Sequence, residues 1–182
     1  AETASRWRKW CRENGVGEIY LVFTQSFDKY DPSEINFDAA AEFPPNNSGV
    51  PKLVGQPIGL SDSFDGHLYD WQALARASKN YEKMQYKTFR GVNPSWDNTA
   101  RRKSSGTILY GANTDDYRTW LINAIENSVD EFINPNERLV FINAWNEWAE
   151  GACLEPDAKF GYAWLENTYT ALETAGAKAK KR

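Results

Sequence analysis

With 182 residues and 41% hydrophobic content, the chain can bury one good-sized core, and it is read as a single domain over residues 1–182. Its net charge of −4 is spread over both signs along the whole length, so no broad basic field exists to hold a nucleic-acid backbone, and nucleic acid is not expected as a partner. No run of about 18 apolar residues occurs, so no helical membrane span is expected; Cys11 and Cys153, too few for a disulfide framework and not spaced like a metal site, are read as free thiols in a reducing, cytoplasmic setting.

Arg6 to Asn14 carries Trp7, Trp10 and Cys11 at helical spacing, with Gly15 and Gly17 as a stop. Ile19 to Thr24 is a continuous β-branched and aromatic run, the pattern of a strand buried on both faces. A short strand follows within Asn36 to Phe43 and ends at Pro44 and Pro45. The Gly- and Pro-rich stretch 46–66 has no period and reads as a long loop with functional potential. Tyr69 to about Asn80 is a second helix, with Trp71, Leu74 and Ala75 on one face. Tyr86 to Val92 is a third strand, leading into the loop NPSWDNTARRKSSG. The cleanest helix begins after Asn113 or Thr114, either of which can cap it, and its apolar face is Tyr117, Trp120, Leu121, Ala124, Ile125 and Phe132. RLVFINAW is the fourth strand, and Tyr162 to Ala175 the last helix, with Leu165, Tyr169 and Leu172 in register. Lys178 to Arg182 is a basic, solvated tail to which no function is given.

Helices alternate with apolar strands, which predicts an α/β fold with a parallel sheet of four strands. Sites in such folds lie in the loops leaving the C-terminal strand ends. Three polar, aromatic-rich segments fall there: EFPPNN, RGVNPSWDNTARR and NAWNEWAEG.

The last of these belongs to FINAWNEWAEGACLEPD, which sets Glu147, Glu150 and Glu155 among Trp145, Trp148, Asn143 and Asn146. Glu147 and Glu150 are three apart: a helical turn puts both on one face, an extended chain puts them on opposite faces, and Gly151 favours the turn. Two carboxyls about 5 to 10 Å apart are what glycosidic-bond chemistry uses, one as general acid and one as base or nucleophile. Trp145 and Trp148 add flat apolar faces on which a sugar ring can stack. The competing reading makes these acids helix N-terminal carboxylates paired to Arg101, Arg102 or Arg138, with the tryptophans in the core. In WDNTARR, Trp96, Asp97 and Asn98 are candidates to meet sugar hydroxyls, and Arg90, Arg101 and Arg102 to hold a phosphate or another anion; the competing reading is a capping turn with solvated arginines. The chain has one histidine, His67, and no GxGxxG, P-loop or GxSxG motif, so no metal and no cofactor are expected.

FINAWNEWAEGACLEPD, together with RGVNPSWDNTARR and FDAAAEFPPN, resembles the C-terminal half of the WbsX-type glycosyltransferases, whose domain is similar to glycoside hydrolase family 99, and the segments keep that family's order. The resemblance spans nearly the whole chain, and NEWxEGxxLEP is its specific string. It implies the last four βα units of a TIM-type (β/α)8 barrel, with the site at the C-terminal face of the strands. It implies that Glu147 is the base that deprotonates a sugar 2-hydroxyl to give an epoxide-like intermediate. It further implies that Glu150 is general acid and then base at the glycosidic oxygen, and that Glu155 contacts substrate. The implied setting is surface polysaccharide metabolism, O-antigen or capsule, by a glycosyltransferase or a retaining endo-glycosidase-like enzyme acting on a glycan; a non-catalytic glycan-binding module or an inactive fragment is the alternative. Four strands cannot close a barrel, so the sheet is expected to show two open edges, covered by the missing N-terminal half or by a second copy in a homodimer.

Overall fold

The computed structural model describes residues 1–182 except 56, 58, 103, 104 and 180–182. The last three residues of the basic tail, and two in the loop after the third predicted strand, therefore lie outside the described residues.

Helix α1 (Glu2–Glu13) leads to strand β1 (Val22–Gln25). The helix stops where Asn14 donates its N–H and side-chain amide to the Trp10 carbonyl, at 3.0 and 2.8 Å, and Gly15 turns the chain with φ +73°. Strand β2 (Ala39–Glu42) follows, and strand β3 (His67–Asp70) runs directly into helix α2 (Trp71–Ala77). Then come strand β4 (Thr88–Val92), the two-residue β5 (Trp96–Asp97), the short helix α3 (Thr99–Arg102) and strand β6 (Thr107–Tyr110). Helix α4 (Thr114–Glu131) precedes strand β7 (Val140–Ile142), the hairpin of β8 (Asn146–Glu147) with β9 (Ala152–Cys153), and helix α5 (Ala163–Ala179). No helix among the described residues is long and apolar enough to cross a membrane.

The four predicted strands form one sheet in the order β1-β2-β4-β7, and every pair in it is parallel. Its two middle strands match the expectation of burial on both faces: β4 is buried at every residue, and β2 at its three alanines. The outer strands do not. Thr24 in β1 is exposed and Phe141 in β7 is 43% exposed, because each of these strands lacks a neighbour on one side. An apolar run identifies the strand, but burial depends on what lies beside it.

Alternation along β4 sends Arg90 and Val92 to the face covered by α4, and Phe89 and Gly91 to the opposite face. On the helix side, Val92 joins Trp71, Trp120, Leu121 and Trp164 in the main core, where Trp71 and Trp120 meet edge to face at 5.8 Å. On the other side, Phe89 packs with Ala39, Ala41 and Phe132, its ring 5.3 Å from that of Phe132. Full burial of a phenylalanine contributes about 1.5–3 kcal/mol.

Helix α4 follows the predicted pattern, with Tyr117, Trp120, Leu121 and Ala124 buried and Asn113 as the cap, its Oδ1 accepting from the Asp116 N–H at 2.9 Å. Phe132 stands just past the helix in extended conformation and so serves the far side of the sheet. Helix α5 buries Trp164, Ala171 and Ala175, while Tyr169 and Leu172 are exposed, against the predicted register. The reason is its docking on α4: Trp164 meets the Tyr117 ring edge to face at 5.3 Å, and Thr168 hydrogen-bonds the Tyr117 hydroxyl at 2.9 Å, which selects that stripe. Burial pushes the Tyr117 hydroxyl up to about 12 despite that bond. In α1, Trp7 and Trp10 are exposed and Ala4 is the buried residue.

A second sheet, β3-β6-β5, stands apart from the prediction. Tyr69, expected in a helix, pairs instead with Leu109 in a parallel ladder, and α2 starts at Trp71 because Asp70 caps it, accepting from the Ala73 N–H at 2.9 Å. The aperiodic loop before it is fixed partly by a bridge from Lys52 to Tyr69.

Candidate active site

The floor of the site is built from backbone held at the ends of the parallel strands. Buried Asn143, just past β7, donates its backbone N–H to the Val92 carbonyl at 2.9 Å and its side-chain amide to the Pro44 carbonyl at 2.8 Å. Asn93, just past β4, donates its amide to the Asn143 carbonyl at 2.7 Å, and Trp71 donates its indole N–H to the Asn93 carbonyl at 3.2 Å. The loops leaving β2, β4 and β7 are thereby tied into one piece. The Pro44–Pro45 and Asn143–Ala144 peptides in these loops are cis.

On this floor stands the NEWAEG hairpin. Asn146 pairs with Cys153 and Glu147 with Ala152, and between them Trp148 to Glu150 make a single 3-10 turn closed by Gly151 at φ +59°. Here the glycine is required twice over. Its φ is left-handed, and a Cβ would lie 2.9 Å from the Asp97 nitrogen and 3.0 Å from its carbonyl oxygen. Ser95 donates its hydroxyl to the Gly151 carbonyl, so the hairpin is pressed against β5. That contact delivers Glu150 to α3, where Arg101 Nη2 donates to Glu150 Oε1 at 2.5 Å; the Glu150 side chain is 20% exposed.

The rest of the hairpin faces outward. Trp145 and Trp148 are each 51% exposed, and the Trp148 indole N–H donates to Glu155 Oε2 at 2.7 Å, fixing the plane of the ring. Asn146 and Glu147 are exposed. Among the described residues, the Glu147 carboxylate has neither a hydrogen bond nor an ion pair.

Beside the hairpin lies a cleft of about 540 Å³ to which the segment after each strand of the four-stranded sheet contributes. Phe27 comes from the loop after β1, residues 45–50 from the loop after β2, Trp96, Asn98, Arg101 and Arg102 from the segment after β4, and Glu150 from the segment after β7. Of the residues singled out in the sequence, the cleft thus gathers Glu150, Trp96, Asn98, Arg101 and Arg102. Trp96 is buried in the core and offers only part of its ring. Asn98 is buried too: its Oδ1 accepts from the Thr107 N–H at 2.7 Å and its carbonyl from the N–H groups of Arg101 and Arg102. Asp97 accepts from the N–H and hydroxyl of Thr99, at 3.0 and 2.6 Å, and so fixes the start of α3.

Arg90 is not brought to this cleft. On the helix side of β4 it donates to Glu42 Oε1 at 2.8 Å, to Asn127 Oδ1 at 2.7 Å and to the Glu82 carbonyl at 2.9 Å, with its guanidinium 4.3 Å from the Tyr81 ring centre. It lines a separate cavity of about 400 Å³. Burial raises the Tyr81 hydroxyl far above its ordinary value, so this ring stays neutral beside the cation. The 45–50 loop carries the end of the EFPPNN segment and the start of the stretch read as a loop with functional potential, whereas Phe27 escaped attention in the sequence; its available signal was an aromatic residue two positions past a strand, in a polar run.

Residues 1–168 match the family described as Glycosyltransferase WbsX. The uncharacterized protein WxcX of Xanthomonas campestris pv. campestris strain B100 is 47% identical over 174 residues, covering 96% of this chain and 25% of that protein. WxcX of strain ATCC 33913 is 47% identical over the same span. The chain therefore covers about a quarter of the length of these curated relatives. Among solved structures, a glycoside hydrolase-like protein shares the fold over 93% of this chain and 48% of its own, with a TM-score of 0.53 at 14% identity. A strand-end cleft, the NEWAEG hairpin on its rim and a match over residues 1–168 agree, and the chain belongs to the WbsX glycosyltransferase family.

Proposed function

We propose that this chain forms the C-terminal half of a TIM-type active site in a carbohydrate-active enzyme, a glycosyltransferase or retaining endo-glycosidase of surface polysaccharide metabolism. The observation that carries it is the convergence of all four strand-end loops on one cleft that has Glu150 in its wall, next to two half-exposed tryptophans. Four loops agreeing on one place is what a parallel α/β active site requires.

In this reading Glu147, whose carboxylate is unencumbered, takes the proton of a sugar 2-hydroxyl. The freed oxygen attacks C1 as the bond from C1 to the glycosidic oxygen breaks, and Glu150 gives its proton to that departing oxygen. Water or an acceptor hydroxyl then attacks C1 and opens the three-membered ring; Glu150 takes the incoming proton and Glu147 returns its own to O2. Two inversions at C1 give net retention. Arg101 occupies Glu150 Oε1 and leaves Oε2 for the sugar, so the ion pair orients the acid. Trp145, Trp148, Asn146 and Glu155 line the sugar path on the hairpin, with Trp96, Asp97 and Asn98 supporting the opposite wall. Arg90 supports the sheet behind it.

The unpaired sides of β1 and β7 accept further strands, from the remainder of the longer protein or from a second copy. A rival reading, a glycan-binding module without turnover, draws on one observation: Glu147 does not line the cleft that holds Glu150. Glu150→Gln in the intact protein separates the two. A catalyst loses turnover by about 10²–10⁴-fold with glycan affinity kept within a few fold, whereas a binding module has no turnover to lose.

A further inference from the structure

We propose that the cleft selects a sugar carrying an anionic group, and that Arg102 is the residue that reads the charge; this rests on the reading of the cleft as a glycan site. The sequence offers three arginines near the site, and the structure sorts them. Arg90 is fully engaged on the other side of the sheet, with every part of its guanidinium donating or stacked. Arg101 is committed to Glu150. Arg102 lines the same cleft, is exposed, and among the described residues its guanidinium has no hydrogen-bond or ion-pair partner.

The charge balance of the cleft makes this informative. Its described charged lining consists of Glu150, Arg101 and Arg102; Arg101 is committed to Glu150, which leaves Arg102 as the cation without a partner among the described residues. The facing wall is neutral, with Asn46, Asn47 and Ser48 offering amides and a hydroxyl suited to sugar hydroxyls. A neutral sugar finds all it needs there. A guanidinium adds a planar fork of donors whose natural partner is a carboxylate or phosphate.

The fork also stands on a fixed base. Both Arg101 and Arg102 donate their backbone N–H groups to the Asn98 carbonyl, at 3.1 and 2.9 Å, and Asn98 and Asp97 are themselves held by Thr107 and Thr99. The facing loop is anchored too, since Asn47 donates its amide to the Gln25 carbonyl at 3.1 Å. The anion is therefore met in the same cleft as Glu150, from an anchored backbone position, which suits a substituent on the sugar next to the scissile bond. Its source is either a carboxylate of an acidic glycan or the phosphate of an activated sugar.

Calorimetric titration of the intact protein tests this with three probes: a glucuronate-containing capsular oligosaccharide, the same oligosaccharide with its carboxyl groups reduced to alcohols, and glucose 1-phosphate. The acidic form is expected to bind about tenfold or more tightly than its reduced form, the ratio for one charge-assisted pair. Arg102→Gln should erase that ratio while leaving the reduced form's affinity unchanged, which also shows that the variant is folded; Arg102→Lys should keep part of it. Binding of glucose 1-phosphate that is lost in Arg102→Gln supports the same anion site and assigns the charge to a phosphate. Equal binding of the acidic and reduced forms overturns the anion proposal and leaves the glycan site standing. A preference that survives Arg102→Gln overturns the assignment to Arg102, and failure of all three probes to bind overturns both readings.

Discussion

Two neighbouring walls of protein, the WDNTARR segment that lines the cleft and the NEWAEG hairpin that stands on its rim, use similar residues in opposite ways. In the WDNTARR segment nearly every side-chain polar group is spent on the protein itself: Asp97 on Thr99, Asn98 on Thr107, Arg101 on Glu150. In the NEWAEG hairpin the polar and aromatic groups other than Glu150 face outward, with Glu147 unpaired among the described residues and Trp145 and Trp148 half exposed. One wall holds its own shape and the other leaves its groups open to solvent. A residue type therefore does not announce its role, and the difference lies in whether its hydrogen-bonding capacity is already used.

This contrast can be broken by substitution. The largest effect is expected on the presenting wall: Glu147→Gln should lower turnover on a glycan substrate by about 10²–10⁴-fold while the urea unfolding midpoint barely moves, since the carboxylate is exposed and has no hydrogen bond or ion pair among the described residues. An unchanged rate would remove Glu147 from the chemistry. Next comes the seam between the walls. Gly151→Ala faces both a left-handed φ and a backbone contact at 2.9 Å, and should destabilise by about 2 kcal/mol or more, read by denaturant unfolding, with loss of activity following from the displaced Glu150.

On the shape-holding wall, Asn98→Ala leaves the Thr107 N–H without its partner and should lower stability by about 1–3 kcal/mol. If Asn98 acts only through the fold, kcat and KM of the surviving folded protein stay near their original values. A rise in KM alone would instead show that Asn98 touches the sugar. The smallest effect is expected for Trp148→Phe, which keeps a ring but loses the bond to Glu155; glycan affinity should fall a few fold, and stability should shift by about 0.5 kcal/mol or less.

Strong local patterns carried the readable part of the fold. The apolar runs of β1, β2, β4 and β7 and the Asn113 cap with its i, i+3, i+4 face need only neighbouring residues to be recognised. The sheet β3-β6-β5 gave no such signal, because HLYD and WD carry charged residues and TILY lies between two glycines in a turn-rich stretch. The buried stripe of α5 was ambiguous for another reason: aromatic residues sit on both sides of it, and only the position of Tyr117 on α4 decides between Trp164 and Tyr169. For the site, Gly151 foretold the turn that carries Glu150, whereas the commitment of Arg90 depends on Glu42 and Asn127, 48 and 37 residues away. Pairings at that range follow from topology and not from local spacing.

Asn143 has a mechanical meaning beyond its role in the floor. Through one backbone amide, one carbonyl and one side chain it fastens the segments after β2, β4 and β7 to each other, so none of the three can swing without dragging the other two. The base of the cleft behaves as a keel. Any opening or narrowing of the cleft is then confined to what stands above that base, the side chains on its rim and the outer part of the 45–50 loop.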